Sequence, residues 1–261
     1  MRSLSVGATG MMAQQLHVEV ISNNLANMTT TGYKRRRPEF QDLLYQSQRR
    51  IGAASSSEGT VVPAGVQLGL GAKTAAVYRI HDQGDLVNTE NGLDVAIQGE
   101  GYFVVETPGG EIAYTRSGNL QLSPEGLIVT SDGYPVGPGI TVPADSTEVS
   151  INAEGGVTAK LQGQTGLADL GQLELATFVN EGGLEALGNN LLRETDASGP
   201  AIVGTPGSQG LGTLLQGYLE GSNVNPVQEI TALITAQRAY DLNSKVISAS
   251  DEMMATVTQL R

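Results

Sequence analysis

The chain has 261 residues, a formal net charge of -12 at pH 7 and no cysteine. An acidic surface repels phosphate, so this composition argues against a nucleic-acid binder or an anionic-membrane binder. The lack of cysteine excludes disulfides and thiolate-ligated metals. The first twenty residues contain no long apolar run, so the sequence predicts neither a cleavable signal peptide nor a membrane-spanning segment there.

The N-terminal segment has the spacing of a helix that packs along one side. Gly7 and Gly10 weaken its first turns, so this part is expected to need a partner to stay helical. Its apolar residues recur at intervals of seven, and three more widen the stripe: Leu4, Met11, Val18 and Leu25, then Ala8, Ile21 and Met28.

This helix is predicted to end in an Asn- and Thr-rich stretch that leads to Gly32 and four consecutive basic residues, Lys34 to Arg37. Gly32 is expected to adopt a backbone conformation closed to most residues, and Pro38 prevents the helix from resuming. The basic run has three interpretations. A nucleic-acid patch is disfavoured by its brevity and by the acidic composition; the others are a solvated turn and an electrostatic contact with a neighbouring copy.

The central part of the chain, about residues 72–204, is predicted to be β-structure. Short apolar runs such as "LDVAI", "GYFVVET" and "GLIVTSDGYPV" are separated by turn signals. Ser131-Asp132-Gly133 and Glu154-Gly155-Gly156 fit hairpin turns. Strands do not alternate with long helices, so a parallel doubly wound sheet is not expected. The preceding stretch, residues 46–71, is Gly/Ser-rich and without periodicity, as in a disordered linker or an extended arm.

A second, longer helix is predicted at the C-terminus. Asn225 supplies an N-cap, Pro226 stands at the first helical position and Gln228 at the third. Two apolar columns repeat every seven residues, first Ala232, Ala239, Val246, Met253 and Leu260, then Leu233, Tyr240, Ile247 and Met254. Such a wide face can contact more than one neighbour, which indicates self-assembly.

Together these patterns predict an α+β fold. Long N- and C-terminal helices pair as a coiled-coil-like unit, with an inserted, mainly antiparallel β-domain and an extended arm. The predicted segments are the N-terminal helix (1–32), the arm (33–71), the β-rich outer domain (72–205), a return connector (206–224) and the C-terminal helix (225–261).

The sequence offers no convincing catalytic, cofactor-binding or metal site. Lys73 and Thr74 follow a Gly-rich run, but Ala72 stands where a phosphate-binding loop has glycine. His17 and His81 lack a second histidine at ligand spacing. We therefore expect no enzyme activity, cofactor or metal.

Both ends of the chain resemble bacterial flagellar rod and hook proteins. The matching stretches are "ISNNLANMTTTGYKRRRPEFQDLLYQ" and "GYLEGSNVNPVQEITALITAQRAYDLNSKVISASDEMM", and "LDVAIQGEGYFVVETPGGEIAYTRSGNLQLSPEGLIVTSDGYPV" is similar to the first β-domain of that family. The resemblance covers nearly the whole chain. The single β-domain and residues 41–71 are most similar to distal-rod members, in which this segment is associated with a straight rod. A proximal rod or hook-type axial subunit is the alternative within the family.

The resemblance implies a structural subunit that polymerises helically into a hollow, stiff distal rod in the flagellar basal body. This drive shaft crosses the periplasm, transmits torque to the hook and encloses the export channel. Implied partners are further copies of itself, the proximal rod proteins, the hook protein, the peptidoglycan and outer-membrane rings, and the flagellar type III export apparatus, which needs no cleavable signal peptide. Neither nucleic acid nor direct membrane insertion is implied. A periplasmic protein that binds or cleaves peptidoglycan is the alternative from another class.

The expected assembly interface comprises the apolar helix columns and the residues beside them. Its N-terminal part is Leu4, Met11, Val18, Ile21, Leu25, Asn27, Gly32, Tyr33, Lys34, Arg35, Arg36 and Arg37. Its C-terminal part is Asn223, Asn225, Leu233, Gln237, Arg238, Tyr240, Val246, Ile247, Met253 and Met254. The stiffening arm is expected to act through Ser55, Ser56, Ser57, Val61 and Val62.

Overall fold

The computed structural model describes residues 2–49, 64–163, 166–208 and 210–259. Its helices are α1 (Arg2–Ala26) and α2 (Pro226–Gln259), and a 3-10 turn spans Glu181–Gly183. Its strands are β1 (Arg36–Asp42), β2 (Tyr45–Arg49), β3 (Val66–Gly69), β4 (Ala72–Arg79), β5 (Leu86–Asn88), β6 (Val95–Gln98), β7 (Tyr102–Glu106), β8 (Ile112–Thr115), β9 (Gln121–Leu122), β10 (Ile128–Val129), β11 (Ser146–Ile151), β12 (Gly156–Leu161), β13 (Leu167–Gln172), β14 (Leu175–Thr177), β15 (Glu185–Gly188), β16 (Leu191–Arg193), β17 (Ile202–Gly204), β18 (Thr213–Gln216) and β19 (Tyr218–Glu220).

The chain forms two compact units. The helical unit comprises Met1–Leu25, Arg36–Tyr78 and Asn225–Arg261, and the β-unit comprises Ala26–Arg35 and Arg79–Val224. The predicted α+β fold, with long terminal helices and a central antiparallel β-domain, is confirmed. The finer division into five segments stays a prediction.

In the helical unit, the start of α2 follows the predicted capping pattern. Asn225 Oδ1 accepts hydrogen bonds from the backbone N–H groups of Val227 at 3.1 Å and Gln228 at 3.3 Å. Pro226 is the first helical residue, where its missing N–H removes no helical bond. Neither described helix is apolar over a length that would cross a membrane.

Two small antiparallel pairs complete the described part of the helical unit. β1 pairs with β4, and β2 pairs with β3 so that Tyr45 lies opposite Gly69. These strands lie partly in residues 46–71, for which the sequence allowed two possibilities, a disordered linker or an extended arm. Both β2 and β3 are extended. The five predicted stiffening residues, Ser55, Ser56, Ser57, Val61 and Val62, lie outside the described residues.

The core of the β-unit lies around its largest sheet, in the order β15-β16-β8-β7-β14-β17, together with the three-stranded sheet β11-β12-β13. Phe103, Leu175 and Val157 are fully buried there. The two predicted hairpin turns are confirmed. Gly133 N donates to Thr130 O at 2.9 Å, and Gly155 N donates to Asn152 O at 3.0 Å.

Gly32 has the unusual backbone conformation that the sequence predicts. Its φ is +68°, in the region that L side chains rarely adopt. Its N–H donates to Glu220 O at 2.8 Å. A Cβ at this position would lie 2.9 Å from the backbone carbon of Arg116. A side chain is therefore disfavoured here by the dihedral angle and by lack of space.

We expect Gly32→Ala to lower the free energy of unfolding of the β-unit by about 2 kcal/mol or more, since strain in the left-handed region adds to a backbone clash. Gly110 separates the two causes, because its φ is +75° and nothing lies within 4 Å of its Cβ position. Gly110→Ala should therefore show the dihedral strain alone. Urea titrations followed by circular dichroism give the comparison, and equal midpoints for both variants would show that the contact with Arg116 is unimportant.

Candidate functional site

α1 and α2 pack against each other in antiparallel orientation. A Cβ on Gly10 would lie 2.9 Å from Asn243 Nδ2, and further along the pair Asn24 Nδ2 donates to Glu229 Oε2 at 3.2 Å. The distance in sequence between the two contacts is the same on α1 as on α2. The register of the helix pair therefore does not change between the two contacts. The glycine that weakens α1 also allows α2 to approach closely.

The centre of this helix contact differs from the predicted apolar columns. On α2 it is the column Glu229, Ala236, Asn243 and Ser250, whose members are buried except for the half-buried Asn243. The predicted columns begin three and four residues after this one, so at heptad spacing they lie on either side of it. Small and polar residues therefore form the middle of the contact, and apolar residues form its flanks.

Much of the flanking apolar surface is exposed in the single chain. Val246 is 48% exposed, Met253 56% and Met254 39%. Ile247 is half-buried, because its Cγ1 lies 3.0 Å from the Cβ position of Gly7. Further exposed apolar side chains on the two helices are Val6, Met12, Val227, Ile230, Ile234, Tyr240, Leu242 and Val257. An apolar surface of this extent marks an interaction site.

The other predicted interface residues differ widely in burial. Ile21 is buried, and Leu4, Met11, Val18, Leu25 and Leu233 are half-buried. Gln237, Arg238 and Asn225 are exposed, Asn27 and Tyr33 are half-buried in the turns after α1, and on β1 Arg36 is half-buried and Arg37 exposed. The structure thus brings the apolar helix residues onto one contact and its flanks, whereas Gln237 and Arg238 of α2 remain exposed.

Asn24, in the last turn of α1, joins three elements of the helical unit. Its Nδ2 donates to Arg36 O at 2.8 Å and to Glu229 Oε2 at 3.2 Å, and its Oδ1 accepts from Arg36 N at 2.8 Å. The side chain is 1% exposed. A carboxamide carries a donor and an acceptor together, so it can satisfy both backbone groups of Arg36.

Asn223 joins three backbone segments of the β-unit. Its Oδ1 accepts from Arg35 N at 2.7 Å, and its Nδ2 donates to Ile80 O and to Asp82 O, each at 2.9 Å. Ile80 N in turn donates to Arg35 O at 2.9 Å. We call this arrangement the Asn223 clasp. It holds together residues of the β-unit beside three of the four points at which the backbone enters or leaves this unit.

Glu220, at the end of β19, is a buried carboxylate held by two cations. Lys34 Nζ lies 2.6 Å from Glu220 Oε1, Arg116 Nε donates to Oε2, and Gly84 N donates to Oε1 at 3.0 Å. The exposed fractions of the three charged side chains are 7% for Lys34, 6% for Arg116 and 0% for Glu220. We call this group the ionic centre. Lys34 fits none of the three interpretations of the basic run, since its partner is a carboxylate of the same chain.

Arg116 extends the ionic centre to the loop between β6 and β7. Its guanidinium donates to the carbonyl groups of Ile97, Gly99 and Gly101. Burial would raise the pKa of Glu220, but Arg116, Lys34 and the Gly84 N–H outweigh it and hold that pKa below its usual value. Burial lowers the pKa of Lys34, and its hydrogen bond to Glu220 opposes this shift. The centre is therefore a charged network that fixes three distant segments in place.

A polar cavity of about 330 Å³ adjoins the ionic centre within the β-unit, and His81, Tyr102 and Glu181 line it. His81 Nδ1 lies 2.8 Å from Tyr102 Oη and 3.4 Å from Glu181 Oε2. Among the described residues, its Nε2 is a buried atom without a hydrogen-bond partner. Burial, followed by Arg79 and other cations, lowers the pKa of His81 to about 4, and burial also raises the pKa of Glu181. His81 is therefore neutral at physiological pH.

The low pKa of His81 predicts an acid-sensitive contribution to the stability of the β-unit. The folded state holds this histidine neutral, so its contribution is complete above pH 6.5 and is lost as the pH falls from 6.5 to about 4. Because the side chain is 13% exposed, the loss reaches about 3 kcal/mol at most. Urea unfolding of the wild type and of His81→Gln at pH 7.5, 5.5 and 4 measures it. The stability difference between the two proteins should shrink with falling pH, and a constant difference would contradict this prediction.

Comparison with known proteins identifies the family. Three family models match separate parts of the chain: "Flagella basal body rod protein" at residues 4–34, "Flagellar hook protein FlgE/F/G D1 domain" at 96–159 and "Flagellar basal body rod FlgEFG protein C-terminal" at 215–260. The chain is 57% identical to the flagellar basal-body rod protein FlgG of Caulobacter vibrioides, with both chains covered completely. The chain belongs to the FlgG family of flagellar basal-body rod proteins. It is also 50% identical to FlgG of Agrobacterium fabrum, with 99% of each chain covered, and 39% identical to FlgG of Bacillus subtilis, with 100% of this chain and 99% of that one covered. The resemblance inferred from the terminal motifs is confirmed.

The three matched segments of this FlgG-family chain meet at the ionic centre. Lys34 belongs to the N-terminal match, Arg116 to the D1-domain match and Glu220 to the C-terminal match. The stretches that carry the family resemblance are thus connected in space by one buried network.

Sequence reasoning missed several residues that organise this FlgG-family structure. Asn24 lies seven residues after His17 and fourteen after Gly10. These residues form a second column beside the apolar one, and this column could have indicated the centre of the helix contact. Glu220 follows an apolar run in "GYLEGS", where an acidic side chain is unusual for a buried strand. Arg116 gave no local signal, because the carboxylate that it contacts lies 104 residues away.

Proposed function

We propose that this chain is the subunit of the flagellar distal rod and polymerises helically, through the exposed flanks of α1 and α2, into a hollow and stiff shaft. The shaft transmits torque to the hook and encloses the export channel. The exposed apolar surface on both helices carries this proposal. Because Val246 and Met253 are about half exposed in the single chain, covering either side chain stabilises a contact by roughly 1 kcal/mol. Repeated burial of this kind along two long helices supports a stable polymer.

We infer a structural, non-enzymatic role in the basal body. The relatives named as basal-body rod proteins support this inference. The proposed partners are further copies of the chain, the proximal rod proteins, the hook protein, the peptidoglycan and outer-membrane rings, and the type III export apparatus, which carries the subunit without a cleaved signal peptide. A clear zone in a peptidoglycan zymogram of the purified protein would contradict the structural role.

Removal of the gene and complementation test the proposal in cells. Without the subunit, basal bodies should lack the distal part of the rod and cells should not swim. The wild-type gene should restore both. Distal rods of normal length in the deletion strain would overturn the proposal, and electron micrographs of isolated basal bodies provide the measurement.

We propose that the arm stiffens the shaft by lying along neighbouring subunits. An isolated two-stranded hairpin is marginal in water, and the pair β2–β3 exposes 60% of Tyr45, 45% of Val66 and 43% of Leu68. These exposed side chains favour contact with another copy. Deleting residues 55–62, which lie outside the described part, should leave rods that assemble but curve, since contacts that resist sliding are lost. Straight rods of ordinary appearance in electron micrographs would show that the arm is only a spacer.

A further inference from the structure

Apolar columns with seven-residue spacing do not specify a single helix pairing. A shift of α2 by one heptad places each column against the same kind of residue. In a polymer of the kind proposed above, neighbouring copies offer the same columns as well. Something besides the apolar columns must therefore distinguish the chain's own partner helix and its register.

The polar contacts at the centre of the helix pair make this distinction. Asn24 Nδ2 reaches Glu229 Oε2 at 3.2 Å, and both residues are buried. A shift of α2 by seven residues in one direction would bring Ala236, which has no acceptor on its side chain, to the position of Glu229. Asn24 would keep its bonds to Arg36, but the Glu229 carboxylate would lose the amide that donates to it, and loss of a buried hydrogen bond is costly.

Steric fit at the other end of the contact selects the same register. The Cβ position of Gly10 lies 2.9 Å from Asn243 Nδ2, so a side chain at position 10 would require the Asn243 side chain to move. The same shift by one heptad, in either direction, would place Ser3 or His17 of α1 opposite Asn243. Either residue would displace the Asn243 side chain from its present position.

We propose that Asn24 and Glu229 are specificity-determining residues for assembly: with Gly10 and Asn243 they fix the register of the chain's own helix pair. The apolar flanks are thereby kept for contacts with other copies. The second statement rests on the proposed rod function, whereas the first concerns the chain alone. Buried polar residues that fix register at some expense of stability are known from coiled coils.

A cysteine reporter tests the proposal, because the native chain has no cysteine. Gly7→Cys with Ile247→Cys places two thiols across the pair, where the Cβ position of Gly7 is 3.0 Å from Ile247 Cγ1. In the full-length subunit, oxidation should give mainly the intramolecular disulfide on a non-reducing gel. Adding Asn24→Leu and Glu229→Leu should lower its yield about fivefold, the ratio that one lost hydrogen bond supplies, while ellipticity at 222 nm is retained.

Three further proteins separate specificity from stability. The matched control, Ser22→Leu with Gln228→Leu, alters exposed neighbours on the same helices and should behave like the reporter alone. Glu229→Gln keeps an acceptor for Asn24 Nδ2 and leaves the bonds between Asn24 and Arg36 intact, so it should retain at least about half of the yield. Glu229→Leu alone removes the acceptor and should lower the yield.

An unchanged disulfide yield in the Leu pair would show that the apolar columns alone set the register, and the proposal would be wrong. Equal disulfide yields from Glu229→Gln and Glu229→Leu would show that the hydrogen bond between Asn24 and Glu229 does not set the register and would equally overturn the proposal. A reporter protein that forms no intramolecular disulfide, either as soluble subunit or in isolated rods, would show that the helix pair itself does not exist. Rod formation in complemented cells is scored separately, so failure of the rod function leaves the disulfide result standing.

Discussion

Glu220→Ala is expected to destabilise the β-unit by about 3–5 kcal/mol, because it leaves two buried cations without their counter-charge. Lys34 and Arg116 are 7% and 6% exposed, so both cations depend on the Glu220 carboxylate for their neutralisation. The backbone N–H of Gly84 loses its acceptor as well. An effect of this size is a large fraction of the total stability of a domain, so the β-unit should unfold at a much lower urea concentration.

Matched variants show whether charge or shape is responsible. Glu220→Gln keeps the shape and should still destabilise strongly, since an amide does not neutralise Lys34 and Arg116. Glu125→Ala removes an exposed carboxylate from the same unit and should change the free energy of unfolding by less than about 0.5 kcal/mol. Urea unfolding followed by circular dichroism measures all three. Equal midpoints for Glu220→Ala and Glu125→Ala would refute a structural role for the ionic centre.

Val246→Asp is expected to abolish rod assembly without destabilising the single subunit. Val246 is 48% exposed in the chain, so a charge is tolerated there until another copy covers the site. Once buried against a neighbour without a counter-charge, the aspartate is strongly unfavourable. We expect cells that export the subunit but carry no complete rod and do not swim. Ile247→Asp should have the same effect, although its half-buried position near Gly7 means that the helix pair is disturbed as well.

The control for this prediction is Ser248→Asp, which adds the same charge to an exposed position on α2 away from the two apolar columns. It should leave swimming in soft agar and rods in electron micrographs unchanged. Subunit stability is checked by urea unfolding of each purified variant. Normal motility of Val246→Asp would remove Val246 from the assembly face, whereas equal loss in both variants would show that α2 tolerates no added charge.

Local sequence patterns predicted the elements better than the contacts between them. The heptad spacing located both helices, and the Asn225 cap fixed the start of α2, because these signals depend on residues a few positions apart. The centre of the helix contact was not recognised, since apolar periodicity draws attention to the flanks, whereas the contact itself contains Ala236 and Asn243. The strands β2 and β3 were not predicted individually, because their polar sequences do not indicate strands. They form strands by pairing with each other.

The ionic centre shows where local reasoning fails. Lys34 lies 186 residues from Glu220 in the sequence, and no periodicity relates two such positions. The three interpretations of the basic run therefore involved solvent, nucleic acid and neighbouring copies, whereas Lys34, the first residue of the run, is bonded within the chain. A buried ion pair is specified by the three-dimensional arrangement of strands, so it becomes visible only once that arrangement is known.

The Asn223 clasp has a mechanical consequence for a rod subunit. The backbone passes between the two units at four points, and three of these lie next to Arg35, near Ile80 and just after Asn223. One carboxamide is bonded to the first two of these three segments. Within the β-unit, none of these three segments can be pulled out without breaking its hydrogen bonds to the other two, so a force on one of them is shared by all three.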